Sequence, residues 1–173
     1  MASGGSKRWV ELLFIINIKN INNEKVGDII VKSSKLKPIN ASKKYYLNTT
    51  DEYPILFVMS ALINGVSNFY GIGDLSNKES DRVKEMQRVL KQIGISSIYK
   101  NNNLKIFGSN KKVLTQKNIK VPDLGDHRIC MSASILAFIT GAKTQINNFE
   151  TVNTSSPNFL KIIKNLGGKF EKK

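Results

Sequence analysis

Four short polar clusters carry most of the chemistry this chain can offer: Asp51; Lys78, Glu79 and Arg82; Asp126, His127 and Arg128; and Thr154 to Ser156. Each falls where the surrounding pattern predicts that a helix begins. A helix start presents unpaired N–H groups and the positive end of its dipole, so four starts brought together would form an anion site. Arg82 and Arg128 are two of only four arginines among 27 Lys and Arg. A guanidinium in such a place suggests a two-pronged contact to carboxylate or phosphate that lysine does not reproduce. Each residue also has a plainer reading. Glu79 can be the reciprocal partner of a Ser76 cap, Asp51 and Asp126 can offset a dipole, and Arg82 can pair with Glu79 three residues away. His127, as a lone histidine, reads first as structural.

The elements that must position these clusters follow from periodicity. Val10 to Ile18 and Gly27 to Val31 are apolar and β-branched and read as strands, with Asn20 to Lys25 as their turn. A Lys-rich loop follows. Ile55 to Ile63 is apolar nearly all round and closes at Gly65, which predicts a buried helix, and Ser67 to Tyr70 reads as a short strand. Ser76-Asn77-Lys78-Glu79 has the form of a capping box, so a helix is expected to start there, with Val83, Met86, Val89, Leu90 and Ile93 on its apolar face. Ser96 to Tyr99 and Leu104 to Phe107 flank Lys100 to Asn103 as a hairpin. The second half repeats the first. Asp126 opens another all-apolar helix ending at Gly141, a strand lies near Thr144 to Phe149, and Ser156-Pro157 begins an amphipathic helix that stops at Gly167. The order helix, strand, helix, strand thus occurs twice, and both all-apolar helices are expected to be buried on every side.

Composition narrows the classes of function. A chain of 173 residues with 40% apolar content is expected to be globular, and the alternating element order makes it α/β (α+β). Its net charge of +14 comes from lysine scattered among abundant asparagine, as AT-rich codon usage would produce. A nucleic-acid binder instead clusters its cations and interleaves aromatics. One histidine and one cysteine rule out a zinc site of the usual spacing and a disulfide framework, and Cys130 sits in an apolar run as a small core residue. Gly71-Ile72-Gly73 lacks the third glycine and acidic partner of a dinucleotide loop. No apolar stretch has a membrane-spanning length, and the chain is expected to be cytoplasmic. Residues 1–9 read as a leader or tag-like segment.

The clusters, taken with their neighbours, resemble a known family. Asp51-Glu52-Tyr53-Pro54, Lys78-Glu79-Ser80-Asp81-Arg82, Asp126-His127-Arg128-Ile129 and Thr154-Ser155-Ser156-Pro157, in this order and spacing, are similar to the C-terminal region of the 3-phosphoshikimate 1-carboxyvinyltransferases. Gly27 to Val31 and Ser33 to Leu36 extend the resemblance upstream. It implies a fold of repeated βαβαββ units with buried parallel helices. On that basis residues 10–173 would be a partial domain, with units at about 22–110 and 111–173. Nothing resembles the family's N-terminal Lys-Ser-x-x-Arg, Asn-Ala-Gly-Thr or Ser-Ala-Gln segments, so the chain is expected to be a fragment lacking an N-terminal domain. Ser76 stands where the family commonly has Arg, and Thr154 where some members have Lys.

The roles implied by the resemblance need no metal or cofactor. The substrates would be shikimate 3-phosphate and phosphoenolpyruvate. Asp51 would take the proton of the attacking hydroxyl and Glu79 would exchange the proton at C3 of phosphoenolpyruvate. Lys78 would steady Glu79 and touch the shikimate phosphate, while Arg82 and Arg128 would clamp the phosphoenolpyruvate carboxylate. His127 would orient its neighbours, Asp126 would hold that segment, and Thr154 would line the substrate site. The competing expectation is a non-catalytic basic module that binds polyanions through its lysines.

Overall fold

A computed structural model describes residues 10–33, 35–109 and 118–171; the leader at 1–9 and the expected unit boundary at 110/111 lie outside the described residues. The chain divides into two compact units, 1–37 and 38–173. The first holds an antiparallel hairpin, β1 (Val10–Ile21) and β2 (Glu24–Ser33). Its turn is Asn22-Asn23, both at positive φ, the conformation that matches a two-residue turn to strand twist.

The second unit contains β3 (Asn40–Ala41), α1 (Lys43–Thr49), α2 (Tyr53–Leu62), β4 (Gly65–Phe69), α3 (Arg82–Gln92), β5 (Ser96–Lys100) and β6 (Asn103–Gly108). These are followed by β7 (Asn118–Val121), α4 (His127–Thr140), β8 (Lys143–Ile146) and α5 (Phe159–Asn165). The four-stranded sheet has the order β3-β4-β6-β5, with β3 parallel to β4 and the other neighbours antiparallel. β7 and β8 form a separate parallel pair. Apart from α1, the run from β3 to β6 has the order βαβαββ, and the run from β7 to α5 has the order βαβα.

The core explains why α2 is held so firmly beneath Asp51. Tyr53 and Phe57 of α2 meet Phe69 of β4 at ring-centroid distances of 5.7 and 4.9 Å, and Tyr46 of α1 meets Tyr53 at 5.2 Å. All four rings are buried, and edge-to-face pairs of this kind add to their area burial. Gly108 ends β6 where a Cβ would lie 2.0 Å from the Ser60 carbonyl, so only glycine lets this strand close on the end of α2. The apolar face expected for α3 is buried, from Val83 through Met86, Val89 and Leu90 to Ile93 just beyond its end. α4 ends at Gly141 with φ at 73°.

Three expectations are corrected. The Lys-rich segment contains α1, because Tyr46 turns one face of a short helix into the core. The helix expected at the capping box begins one turn later: Gly73–Asn77 is a 3-10 helix, and Asp81 caps α3 by accepting from the Lys84 N–H at 3.0 Å. α2 and α4 pack together but are not buried on every side, since Ile55, Leu56, Met59, Met131 and Ile135 are half-buried and Phe138 is 39% exposed.

Candidate functional site

Three of the four helix starts meet. Arg82, the first residue of α3, is wholly buried, and its guanidinium spreads three kinds of donor over three carboxylates. Nε donates to Asp126 Oδ2 at 3.0 Å, Nη1 to Asp51 Oδ1 at 3.0 Å, and Nη2 to Glu79 Oε2. Arg128, in the first turn of α4, donates through Nη2 to Asp51 Oδ2 at 3.0 Å and through Nη1 to the Asp51 carbonyl at 3.1 Å. It also lies 3.6 Å from Glu52. One carboxylate, Asp51, therefore bridges two guanidinium groups that come from different helices.

Asp126 fixes the geometry of this cluster. Its Oδ1 accepts the N–H groups of Arg128 at 3.0 Å and Ile129 at 3.4 Å, which caps α4. Its Oδ2 accepts from Arg82 Nε and from the Ser80 hydroxyl at 2.8 Å. The side chain is fully buried, so its charge is tolerated because four donors surround it. Ser80 is a member of the site that the motif contained but to which sequence reasoning gave no role. Its partner lies 46 residues away, and no local pattern announces that bond.

Electrostatics follow from this arrangement. Burial of Arg82 works against its charge, but Asp126, Asp51 and Glu79 outweigh burial and push its pKa further above the ordinary arginine value. Burial likewise opposes ionisation of Asp51, yet the hydrogen bond from Arg82 and the charges of Arg128, Arg82 and Lys78 hold its carboxyl below the usual range. Lys78, although exposed, thus acts on Asp51 through space. His127 is half-buried at the start of α4.

The fourth start contributes differently. Thr154 is exposed and its hydroxyl donates to the Thr151 carbonyl at 2.8 Å, within its own turn. The backbone N–H groups of Ser155 and Ser156 are taken by the Val152 carbonyl. Phe159 at the start of α5 walls, with Ile55 and Met131, a hollow of about 200 Å³ rimmed by Asp51, Glu52 and Arg128.

With this geometry in view, a family model for EPSP synthase (3-phosphoshikimate 1-carboxyvinyltransferase) matches residues 6–163. The chain belongs to the EPSP synthase family. A relative named 3-phosphoshikimate 1-carboxyvinyltransferase from Petrotoga mobilis is 36% identical over 152 residues, covering 88% of this chain and 34% of the relative. One of the same name from Zymomonas mobilis is 35% identical over 158 residues, covering 90% of this chain and 35% of the relative. Among solved structures, EPSP synthase from Acinetobacter baumannii superposes with a TM-score of 0.71 at 28% identity, over 89% of this chain and 36% of that one. The enolpyruvyl transferase NikO from Streptomyces tendae shares the fold, with a TM-score of 0.58 at 14% identity over 89% of this chain and 33% of its own. The chain spans about a third of the length of these EPSP synthase relatives.

A larger hollow, about 710 Å³, lies elsewhere on this EPSP synthase-family chain, between α3 and the β7–β8 pair. It is lined by Arg88, Lys91, Lys120 and Gln145, among others, and by none of the candidate site residues. Arg88 there is already paired with Glu85 at 3.0 Å. The convergence of charged groups, rather than hollow size, places the candidate site at Asp51. Among the described residues no helix is long and apolar enough to cross a membrane.

Proposed function

We propose that this chain is the C-terminal part of an enzyme that moves the enolpyruvyl group of phosphoenolpyruvate to the 5-hydroxyl of shikimate 3-phosphate. In that reaction the hydroxyl oxygen bonds to C2 of phosphoenolpyruvate while C3 gains a proton. The tetrahedral ketal then loses the C3 proton and inorganic phosphate together. Asp51 takes the hydroxyl proton, Glu79 delivers and removes the proton at C3, and Arg82 and Arg128 hold the phosphoenolpyruvate carboxylate. Lys78 meets phosphate, His127 and Asp126 keep the α4 start in place, and Thr154 lies at the margin.

The observation that carries this reading is the bridge: Asp51 joins Arg82 and Arg128 at 3.0 Å each, so two proton-handling carboxylates and two carboxylate-binding cations share one site. Ser76, in place of the family's usual arginine, weakens the holding of phosphate or carboxylate. We further propose that residues 10–173 form a partial domain of two repeat units working in the cytoplasm with an N-terminal domain. That second wall supplies the remaining substrate contacts, and orientation of two bound reactants contributes roughly 7–11 kcal/mol of a barrier. A phosphate-release assay tests this. The purified chain with both substrates is expected to release nothing, and adding a separately produced N-terminal domain should restore release. Turnover by the chain alone would overturn the fragment reading. In the restored enzyme Glu79→Gln should lower kcat by about 10²- to 10⁴-fold. A steep salt-dependent affinity for any polyanion, without preference for shikimate 3-phosphate, would instead favour the basic-module reading.

A further inference from the structure

We propose that Asp51 is the resident anion of its own site: its carboxylate occupies the Arg82–Arg128 clamp in the unliganded protein and must be displaced before a substrate carboxylate can enter. The proposal rests on the substrate reading given above and adds an order of events to it.

The geometry separates fixed from exchangeable partners. Arg82 is held by buried Asp126, and its side chain is 1% exposed. Asp51 is 52% exposed and reaches the clamp from the 3-10 helix Thr50–Glu52. Its two oxygens divide between the two guanidinium groups, Oδ1 on Arg82 and Oδ2 on Arg128. An incoming carboxylate has the same two oxygens and needs the same two Nη donors. Local charge argues for exchange rather than addition. Asp51, Glu52, Glu79 and Asp126 already face Arg82, Arg128 and Lys78, so four anions meet three cations. A further anion entering with Asp51 still in place gains little attraction and adds repulsion.

Exchange also serves the chemistry. In the clamp, Asp51 is held as a weak base by the cations around it. Released from both guanidinium groups, it accepts a proton more readily. Base strength therefore appears when the phosphoenolpyruvate carboxylate is in place and the attacking hydroxyl must be deprotonated. The cost of holding the clamp shut is paid in apparent affinity, which falls by the fraction of time the clamp is free.

The test is titration of the full 173-residue chain with phosphoenolpyruvate, comparing Asp51→Asn with Glu52→Gln. An asparagine has one acceptor and turns its NH₂ toward the other guanidinium, so it cannot bridge the clamp. Glu52 carries the same charge one residue away but reaches Arg128 alone. Asp51→Asn is expected to tighten binding about tenfold or more, and Glu52→Gln by less than about threefold. Side-chain NMR of the arginines without ligand supplies the second measurement. Arg128 should rotate slowly about its guanidinium in the wild type and in Glu52→Gln, and faster in Asp51→Asn, which keeps only the Asp51 carbonyl and Glu52 contacts. Binding that Asp51→Asn leaves unchanged, or tightening equal to that of Glu52→Gln, overturns the displacement alone. A freely rotating Arg128 in the wild type also overturns it. Failure of all three proteins to bind phosphoenolpyruvate, with Arg128 restrained, overturns the displacement, while the substrate reading is decided separately by the phosphate-release assay with the N-terminal domain added.

Discussion

α3 and α5 occupy the same place in the repeated element order, yet of the two only α3 sets a charged side chain into the site. α3 begins with a buried arginine held by three carboxylates and sets Val83, Met86, Val89 and Leu90 into the core. α5 begins at Asn158 with no side-chain cap and buries Ile163 alone, leaving Ile162 51% and Leu166 62% exposed. A repeat fixes where a helix start lies along the chain. Whether that start does chemistry depends on whether its side chains find partners on other elements.

The comparison breaks most severely at Arg82. Arg82→Met leaves the buried Asp126 charge without its ion-pair partner, which typically costs about 3–5 kcal/mol. Urea denaturation of the chain should show this as a large drop in midpoint with little change in slope. Asp126→Asn comes next. The asparagine oxygen must accept the Arg128 and Ile129 N–H groups to keep the cap, which aims its NH₂ at the Arg82 Nε–H, a donor that cannot accept, while the Ser80 hydroxyl can turn to accept from it. Flipping the amide only moves the conflict to the cap. An unmade buried hydrogen bond of this kind costs about 1–3 kcal/mol, and Ser80→Ala, which removes the hydroxyl that can turn to accept from the new NH₂, should deepen the loss in the double variant.

Much of this difference was legible in the sequence, and the rest was hidden for identifiable reasons. Unbroken apolar runs closed by glycine reveal α2 and α4, helical spacing reveals α3, and the asparagine-rich segments mark the two hairpin turns because asparagine tolerates the positive φ that such turns require. The start of α3 was misplaced because Ser76 to Glu79 carries the letters of a capping box, while the Glu79 carboxylate is engaged by Arg82 instead. α1 was missed because its lysines face outward and one buried tyrosine anchors it. β7 shows only four residues of alternation, too few to stand out. At the site, residue types pointed to anion chemistry, but the bridging of two arginines by Asp51 depends on separations of 31 and 77 residues that no motif encodes. Thr154 enters through the family resemblance and its place near a helix start, and its hydroxyl is satisfied within its own turn.

A smaller effect sharpens the same contrast through pH. Burial raises the Asp51 pKa, but Arg82, Arg128 and Lys78 lower it more, and the net value lies below the ordinary 3.8. A carboxylate with a depressed folded pKa contributes stability above its unfolded value, and that contribution disappears as pH falls through the folded one. The stability difference between wild type and Asp51→Asn should be level from neutral pH down to about 5 and shrink below the ordinary carboxylate range. Thermal melts at matched ionic strength would measure it. A difference that grew toward acid would mean that Asp51 is not ion-paired in solution.

The smallest expected effect is at the other helix. Leu166, just past the end of α5, is 62% exposed, and truncating it removes little area from a buried environment. Leu166→Ala should change the stability of this chain by no more than about 0.5 kcal/mol, the usual range for surface positions. Ile163→Ala, one turn earlier and buried, should cost more because it opens a cavity where α5 meets the remainder of the unit. The contrast decides what α5 is for. If Leu166→Ala proved as costly as Ile163→Ala, α5 would have to pack through both faces in solution. Equal, small losses at both positions would mean that α5 contributes almost nothing to the fold and that Phe159 reaches the Asp51 hollow from a weakly held segment. The expected outcome lies between these. One buried isoleucine tethers α5, its outward leucine remains free, and the first residue of the helix still walls the hollow beside Asp51 and Arg128.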